Sequence, residues 1–455
     1  MEELEALGLQ TTAWIWVRKT VNAVLPRGRF ARSVAALAGG TALGQAITVL
    51  VSPVLTRLYS PEDFGAFGVY ASILGIVTVI ASLRYEYAIP LPEEDETAAN
   101  ILALCFTLLI GMTTLSWFVV QVLGDQIVTW ANVPGLKPYL WLIPLGMLGA
   151  GTYQILNYWA VRKRDFPRIA RTRLSRGVAR AALQVGVGFA HSGPLGLLLG
   201  QLAGETAGSA SLGLAAWRKD RVPFKAISLR GIRRAGARYR RFPLFSSWAD
   251  LLDSMGLQVP QLLFAAFYGA EVAGWFALGQ RVIAAPLNIV VDSVAQVYFG
   301  EAARLPRDDP KAMKRLFLKL TGRLALVGGL PVALICSLAP WFFAFVFGPG
   351  WETAGRYVQI LGVMFAVRFA TVPLSHTLNV LERQDLYFIW DGTRLALVVG
   401  ALLTGRALNF SHITAVGVYS LSMVIAYVLL GVISWQALVK TNSKEHSDEC
   451  AQKFP

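Results

Sequence analysis

The chain has 455 residues, 55% of them hydrophobic and only 15% charged, with 42 Lys and Arg against 28 Asp and Glu for a net charge of +14. Soluble domains carry about a quarter charged residues, so a mean hydropathy of +0.51 excludes an ordinary water-soluble fold. The apolar runs are long and continuous, which excludes a β-barrel, and the basic residues sit in short loops between them, which argues against nucleic acid as the partner.

The first 33 residues open acidic, with Glu2, Glu3 and Glu5, and lack the short apolar core and small-residue cleavage site of a secretory signal. Trp14, Trp16, Val17, Val21 and Leu25, interleaved with Arg18, Lys19, Arg27 and Arg29, read as a basic amphipathic interfacial segment. Membrane spans of about 20 apolar residues are then predicted near 34–56, 64–83, 98–123, 138–160, 174–191, 194–217, 244–268, 272–299, 318–347, 354–381, 386–408 and 411–438. The expected fold is all-α and polytopic, with about 12 transmembrane helices in two parallel six-helix bundles. The domains are 1–33, 34–217, a basic cytoplasmic linker 218–243, 244–440, and a cytoplasmic tail 441–455.

Loop charge alternates in phase with this count. Connections from odd to even spans hold few cations, such as Arg57, Lys137, Arg356 and Arg406, whereas seven lie between Arg162 and Arg176, ten between Arg218 and Arg241, and seven between Arg304 and Arg323. Both termini and the basic loops are therefore expected in the cytoplasm. One connection, 84–97, departs from the pattern with Glu86, Glu93, Glu94, Asp95 and Glu96.

A short pattern recurs six spans apart. Tyr59, Glu62, Gly65 and Phe67 follow the first span, and Tyr268, Glu271, Gly274 and Phe276 follow the seventh, both reading Y-x-x-E-x-x-G-x-F. Each glutamate is placed to lead or cap the next helix at the positive end of its dipole. Each glycine allows close packing against a neighbour. Repetition after an even number of spans gives two halves of the same orientation, the plan of transporters that bind substrate between halves.

Ionisable residues within spans are costly and face a cavity or a partner. These are Glu205, Asp250, Asp253, Arg281, Asp292, Arg368, His376, Asp391 and Arg394, with Gln45, Asn157, Gln258, Gln280, Asn288, Gln296 and Asn379 as polar company. Arg281 is the leading candidate for an anionic ligand, because a guanidinium matches phosphate oxygens as a two-pronged donor. The structural alternative pairs it with Asp250, Asp253 or Asp292. Asp391 and Arg394, three apart, are expected to pair with each other. Arg57 and Arg84 sit at span ends, where long side chains reach back to the interface. Pro243, Pro260, Pro286, Pro331 and Pro373 interrupt spans. Cys105, Cys336 and Cys450 have no metal-ligand or disulfide spacing. No phosphate-binding G-x-x-x-x-G-K-[ST] loop, zinc H-E-x-x-H motif or G-x-S-x-G elbow is present, so no enzyme activity, cofactor or metal is expected.

Residues 55–104 (LTRLYSPEDFGAFGVYASILG…ANILAL), 242–299 (FPLFSSWADLLDSMG…VAQVYF) and 347–363 (FGPGWETAGRYVQILGV) resemble the bacterial polysaccharide and oligosaccharide-lipid flippases of the multidrug, oligosaccharidyl-lipid and polysaccharide exporter superfamily. The resemblance extends from about residue 30 to 440, short of the N-terminal segment. It implies two six-helix bundles working by alternating access, and translocation of an undecaprenyl-pyrophosphate-linked oligosaccharide from the cytoplasmic to the outer leaflet of the inner membrane for polysaccharide biosynthesis. By that resemblance Arg281, Arg368, Arg84 and Arg180 line a cationic cavity. Proton or sodium coupling would draw on Asp250, Asp253, Glu205 or His376. Membrane lipid and a glycan polymerase or export machinery are the implied partners. The alternatives are a drug or cation exporter on the same fold and a membrane scaffold subunit of a glycan-secretion complex.

Overall fold

The computed structural model describes residues 29–190, 193–302 and 310–453; most of the amphipathic segment expected at 1–33 lies outside them. Among the described residues every regular element is helical. The principal helices are α1 (Arg29–Leu58), α2 (Pro61–Val79), α3 (Asp95–Ala131), α4 (Leu142–Arg162), α5 (Phe166–Ala190), α6 (Leu195–Thr206), α7 (Ser209–Lys219) and α8 (Leu229–Arg238). Then come α9 (Ser247–Tyr268), α10 (Ala270–Ala302), α11 (Pro310–Ser337), α12 (Ala339–Phe347), α13 (Glu352–Thr371), α14 (Gln384–Ala407) and α15 (His412–Lys453).

The twelve expected spans fall on helix wherever they are described, but among the described residues eight helical stretches are long and apolar enough to cross a membrane on those criteria alone. The other four fall short for physical reasons. α5 carries Arg168, Arg171, Arg173, Arg176 and Arg180. The 194–217 segment breaks into α6 and α7 at Gly208, whose φ of 92° suits only glycine. α4 and α9 dilute their apolar residues with glycine and with Gln154, Asn157, Asp250, Asp253 and Gln258. Large apolar side chains that would be a liability in water, including Trp130, Leu50 and Phe345, stand exposed around the bundle, as lipid-facing residues do.

Glycine decides which helices meet. α1 crosses α5 where Gly44 lies against the Arg173 carbonyl and the backbone of Gly177, the small-residue contact that lets two backbones approach in lipid. α2 crosses α10 at the recurring motif. A Cβ added to Gly65 would overlap the Ala270 carbonyl, and one added to Gly274 would overlap the Pro61 carbonyl. Pro61 and Ala270 are equivalent positions of the two motif copies, so the crossing is reciprocal. The start of α2 is set by Pro61 at its first position and by a capping box between Ser60 and Asp63. Glu62 and Glu271 occupy the first turns of their helices, beside the cap in the first copy rather than in it.

The acidic connection 84–97 meets basic residues at the C-terminal end of α4. Arg162 reaches Asp95 (2.9 Å) and the carbonyls of Ile89 and Glu93, while Lys163 pairs with Asp95 (2.6 Å) and Asp220 (3.0 Å). Burial alone would lower the Lys163 ammonium, but its bonds to Asp95 and Asp220 outweigh that and hold it above the usual lysine range. Asp95, in the loop that departs from the charge pattern, is thus a counter-charge to the basic end of α4.

Candidate functional site

A cavity of about 420 Å³ lies where α1, α2, α5 and α6 face α9, α10, α13 and α15. Its position follows from the crossings just described. α2 packs on both α9 and α10, and the motif phenylalanines Phe67 and Phe276 line the space beyond the crossing. Three of the four expected arginines border it: Arg180 from α5, Arg281 from α10 and Arg368 from α13. The remaining polar lining is uncharged, with Gln201, Gln258, Gln261, Gln280 and Asn288 prominent. Among the described residues no carboxylate lines this cavity.

The three arginines differ in what holds them. Arg281 Nη2 makes two long hydrogen bonds, to the Thr48 carbonyl (3.3 Å) and Gln184 Oε1 (3.4 Å), and the guanidinium lies 5.9 Å from the centre of the Phe67 ring. Its Nε and Nη1 are buried without a partner, and among the described residues it makes no salt bridge. The sequence-level alternative of a pair with Asp250, Asp253 or Asp292 is not formed. Arg368 donates to Asn288 Oδ1 (2.8 Å), an amide rather than a carboxylate. Arg180 is bound at 3.1 Å to Glu205, which Arg176 also holds. Among the described residues, two guanidinium groups thus border the cavity without an ion pair and a third shares one. Buried donors in this condition are costly unless an anion arrives to satisfy them.

The other expected residues sit elsewhere. Arg84, expected in the cavity, lies outside it. Leu83 and Arg84 both adopt left-handed backbone (φ 49° and 59°) just past α2, and the Arg84 guanidinium joins Asp250 on α9 (2.7 Å) and Glu86 (3.3 Å). Tyr87 donates to the same Asp250 carboxylate at 2.8 Å. Asp253 is bound by Arg394 (3.0 Å), which also pairs with Asp391 (3.0 Å) as the three-residue spacing suggests. His376 meets Asn379 and the edge of Phe299, away from the cavity lining. In the motif, Tyr59 donates to the Gln184 carbonyl (2.6 Å), while the Tyr268 hydroxyl has no partner.

Sequence reasoning passed over Gln184, which is fully buried beneath Arg281 and bonded to the Leu197 carbonyl, and Arg176, which was read only as loop charge. Their signal was helical spacing from Arg180, by four residues in each direction.

A family model described as "Polysaccharide biosynthesis protein" matches residues 54–355. The chain is 26% identical over 215 residues to the teichuronic acid biosynthesis protein TuaB of Bacillus subtilis (strain 168), covering 47% of this chain and 43% of that relative. It is 22% identical over 389 residues to the lipopolysaccharide biosynthesis protein WzxC of Escherichia coli (strain K12), covering 85% and 76%. The match to TuaB therefore spans less than half of either protein. Among solved structures, an inward-facing multidrug resistance transporter of the MATE family, MOP superfamily, superposes with a TM-score of 0.69 at 16% identity, over 89% of this chain and 96% of that one. The lipid II flippase MurJ in an inward closed conformation superposes at 0.63 and 12% identity, over 90% and 89%. At these identities the likeness is one of fold, shared with these two transporters.

Proposed function

We propose, for a chain that belongs to the polysaccharide biosynthesis protein family, that it is a flippase carrying a polyprenyl-pyrophosphate-linked oligosaccharide across the membrane by alternating access. The observation that carries this reading is Arg281, a guanidinium inside the bundle with two unpartnered nitrogens, bordering a cavity that also receives Arg180 and Arg368. A pyrophosphate is the ligand chemistry that such a set satisfies, with charge-assisted hydrogen bonds replacing the water it leaves.

The physical problem is desolvation. Drawn through hydrocarbon unaided, a pyrophosphate and its sugars would lose their hydration at a cost of many kcal/mol. A polar cavity between the halves replaces that hydration step by step while the polyprenyl tail stays in lipid. An inside-negative potential then favours outward passage of the anion by about 2.3 kcal/mol per charge per 100 mV. In this reading, which the charge bias of the loops favours, both termini and the linker 218–243 lie in the cytoplasm, and residues 34–217 and 244–440 are the two moving halves in the inner membrane of a bacterium. Among the candidates for ion coupling, Glu205 is the carboxylate bound to a cavity arginine, so it is the one whose protonation would change the charge presented to substrate. A drug or cation exporter would need acidic groups in the cavity, and among the described residues none lines it.

The test is reconstitution of the full chain into vesicles with a lipid-linked oligosaccharide, scoring access of an added glycosidase to the head group in the opposite leaflet. The wild type is expected to accelerate transfer and Arg281→Ala to reduce it by at least about tenfold, the worth of one charged hydrogen bond. Equal transfer by the two proteins would remove the arginine cavity from the mechanism.

A further inference from the structure

A second, larger cavity of about 570 Å³ lies wholly within the N-terminal half, between α1, α4 and α5. Its volume is that of a small-molecule site. It is continuous in its lining with the arginine cavity, since Thr48 and Arg180 border both. Its other walls are rich in polar side chains: Gln45 from α1, Gln154 and Asn157 from α4, Arg173 and Arg176 from α5.

Two features of these walls call for a ligand. Gln45 Oε1 and Asn157 Oδ1 are both buried and lack any hydrogen-bond donor. On the same lining, Arg173 makes, among the described residues, one bond, from Nη1 to Thr41 Oγ1 (2.5 Å), and no ion pair. Orphan amide acceptors and spare guanidinium donors on one lining fit a partner whose every polar group both donates and accepts. Hydroxyl groups have that property, and phosphates do not. An apolar tail or a simple cation would leave one set or the other unsatisfied.

We propose that this vestibule is a saccharide subsite, in which Gln45 and Asn157 accept hydrogen bonds from sugar hydroxyls and Arg173 donates to them while the pyrophosphate of the same molecule occupies the Arg281 cavity. The inference rests on the flippase reading and adds to it where the glycan sits. It also divides the labour. The arginine cavity recognises the phosphate common to all lipid-linked glycans, and the vestibule discriminates among sugars. Arg180, on the border and held by Glu205, marks the junction.

The experiment uses the full chain in lipid nanodiscs and two probes, undecaprenyl pyrophosphate and the lipid-linked oligosaccharide extracted from the producing cell. Titration calorimetry is expected to show that the double variant Gln45→Leu, Asn157→Leu binds the oligosaccharide lipid about tenfold more weakly, as two lost hydrogen bonds of about 1 kcal/mol each would give at least. Its affinity for undecaprenyl pyrophosphate should stay unchanged. Arg281→Ala should weaken both probes. If the double variant weakens both probes equally, or neither, the saccharide subsite is overturned while the flippase reading stands. If the wild type binds neither probe, both fall. A second measurement covers a double variant that fails to fold. With Gln154→Cys in the otherwise native chain, the oligosaccharide lipid should slow maleimide labelling at position 154, read by mass spectrometry, several-fold more than undecaprenyl pyrophosphate does. Equal protection by the two probes also overturns the subsite.

Discussion

Arg281 and Arg394 are both guanidinium groups carried into the bundle by helices of the C-terminal half, and they are held in opposite ways. Arg394 has a 4% exposed side chain between Asp253 and Asp391, each at 3.0 Å, with its charge over the Trp390 ring. Arg281 has two long neutral contacts and no carboxylate. The first charge has its counter-charges, although its Nε also lacks a hydrogen-bond partner, and the second has no carboxylate within salt-bridge distance among the described residues. Enclosing a charge within a membrane protein therefore says little until its counter-charge is found. With one in place, the residue builds structure. Without one, it marks a site.

The sharpest way to break this contrast is to remove each charge while keeping the bulk. Arg394→Met strands two carboxylates and should lower unfolding stability by about 3–5 kcal/mol, read as a fall in melting temperature in detergent, with transfer per folded molecule retained. Arg281→Met should do the reverse, leaving melting unchanged or slightly raised while transfer drops about 10- to 100-fold, the worth of charged hydrogen bonds at about 1.5–3 kcal/mol. A variant that melts early at position 281 would place that residue with Arg394. Arg84→Gln tests the intermediate case, a pair between Arg84 and a partly exposed Asp250 that bridges the two halves. It should cost about 1–2 kcal/mol of stability and change transfer less than Arg281→Met. The smallest effect is expected on the basic face. Lys163→Ala should cost no more than about 1 kcal/mol, because Lys163 is partly exposed and its attraction is screened. Since its pKa is raised in the folded protein, its contribution is fully present below the ordinary lysine pKa of about 10.4 and is lost only as pH rises beyond the raised value. Melting of wild type and Lys163→Ala should therefore differ by a constant amount from about pH 6 to about pH 9.

The fold was legible because the bilayer imposes a simple rule on sequence. Apolar length and loop charge placed helices at all twelve expected segments, and the motif glycines, expected only to allow close packing on a neighbour, meet in the structure at the α2–α10 crossing. The site was legible only in part. Arg180, Arg281 and Arg368 lie on three helices far apart in sequence, and nothing local reveals that they converge. Arg84 was indistinguishable from them in the sequence, because its diversion to Asp250 depends on two left-handed residues that carry no glycine signal. The acidic stretch 84–97 looked anomalous because its partners, Arg162 and Lys163, lie at the end of a different helix.

The reciprocal contact of Gly65 and Gly274 has a consequence for how such a carrier can diversify. At that join main chain touches main chain, so its fit owes nothing to the residues that read the cargo. Substitutions in the polar cavity walls therefore leave the join untouched, and a lineage can alter what it carries without rebuilding the hinge between its helices. The same economy makes the join brittle, since the smallest increment in bulk, a single methyl at either glycine, has no neighbouring side chain that could swing aside to receive it.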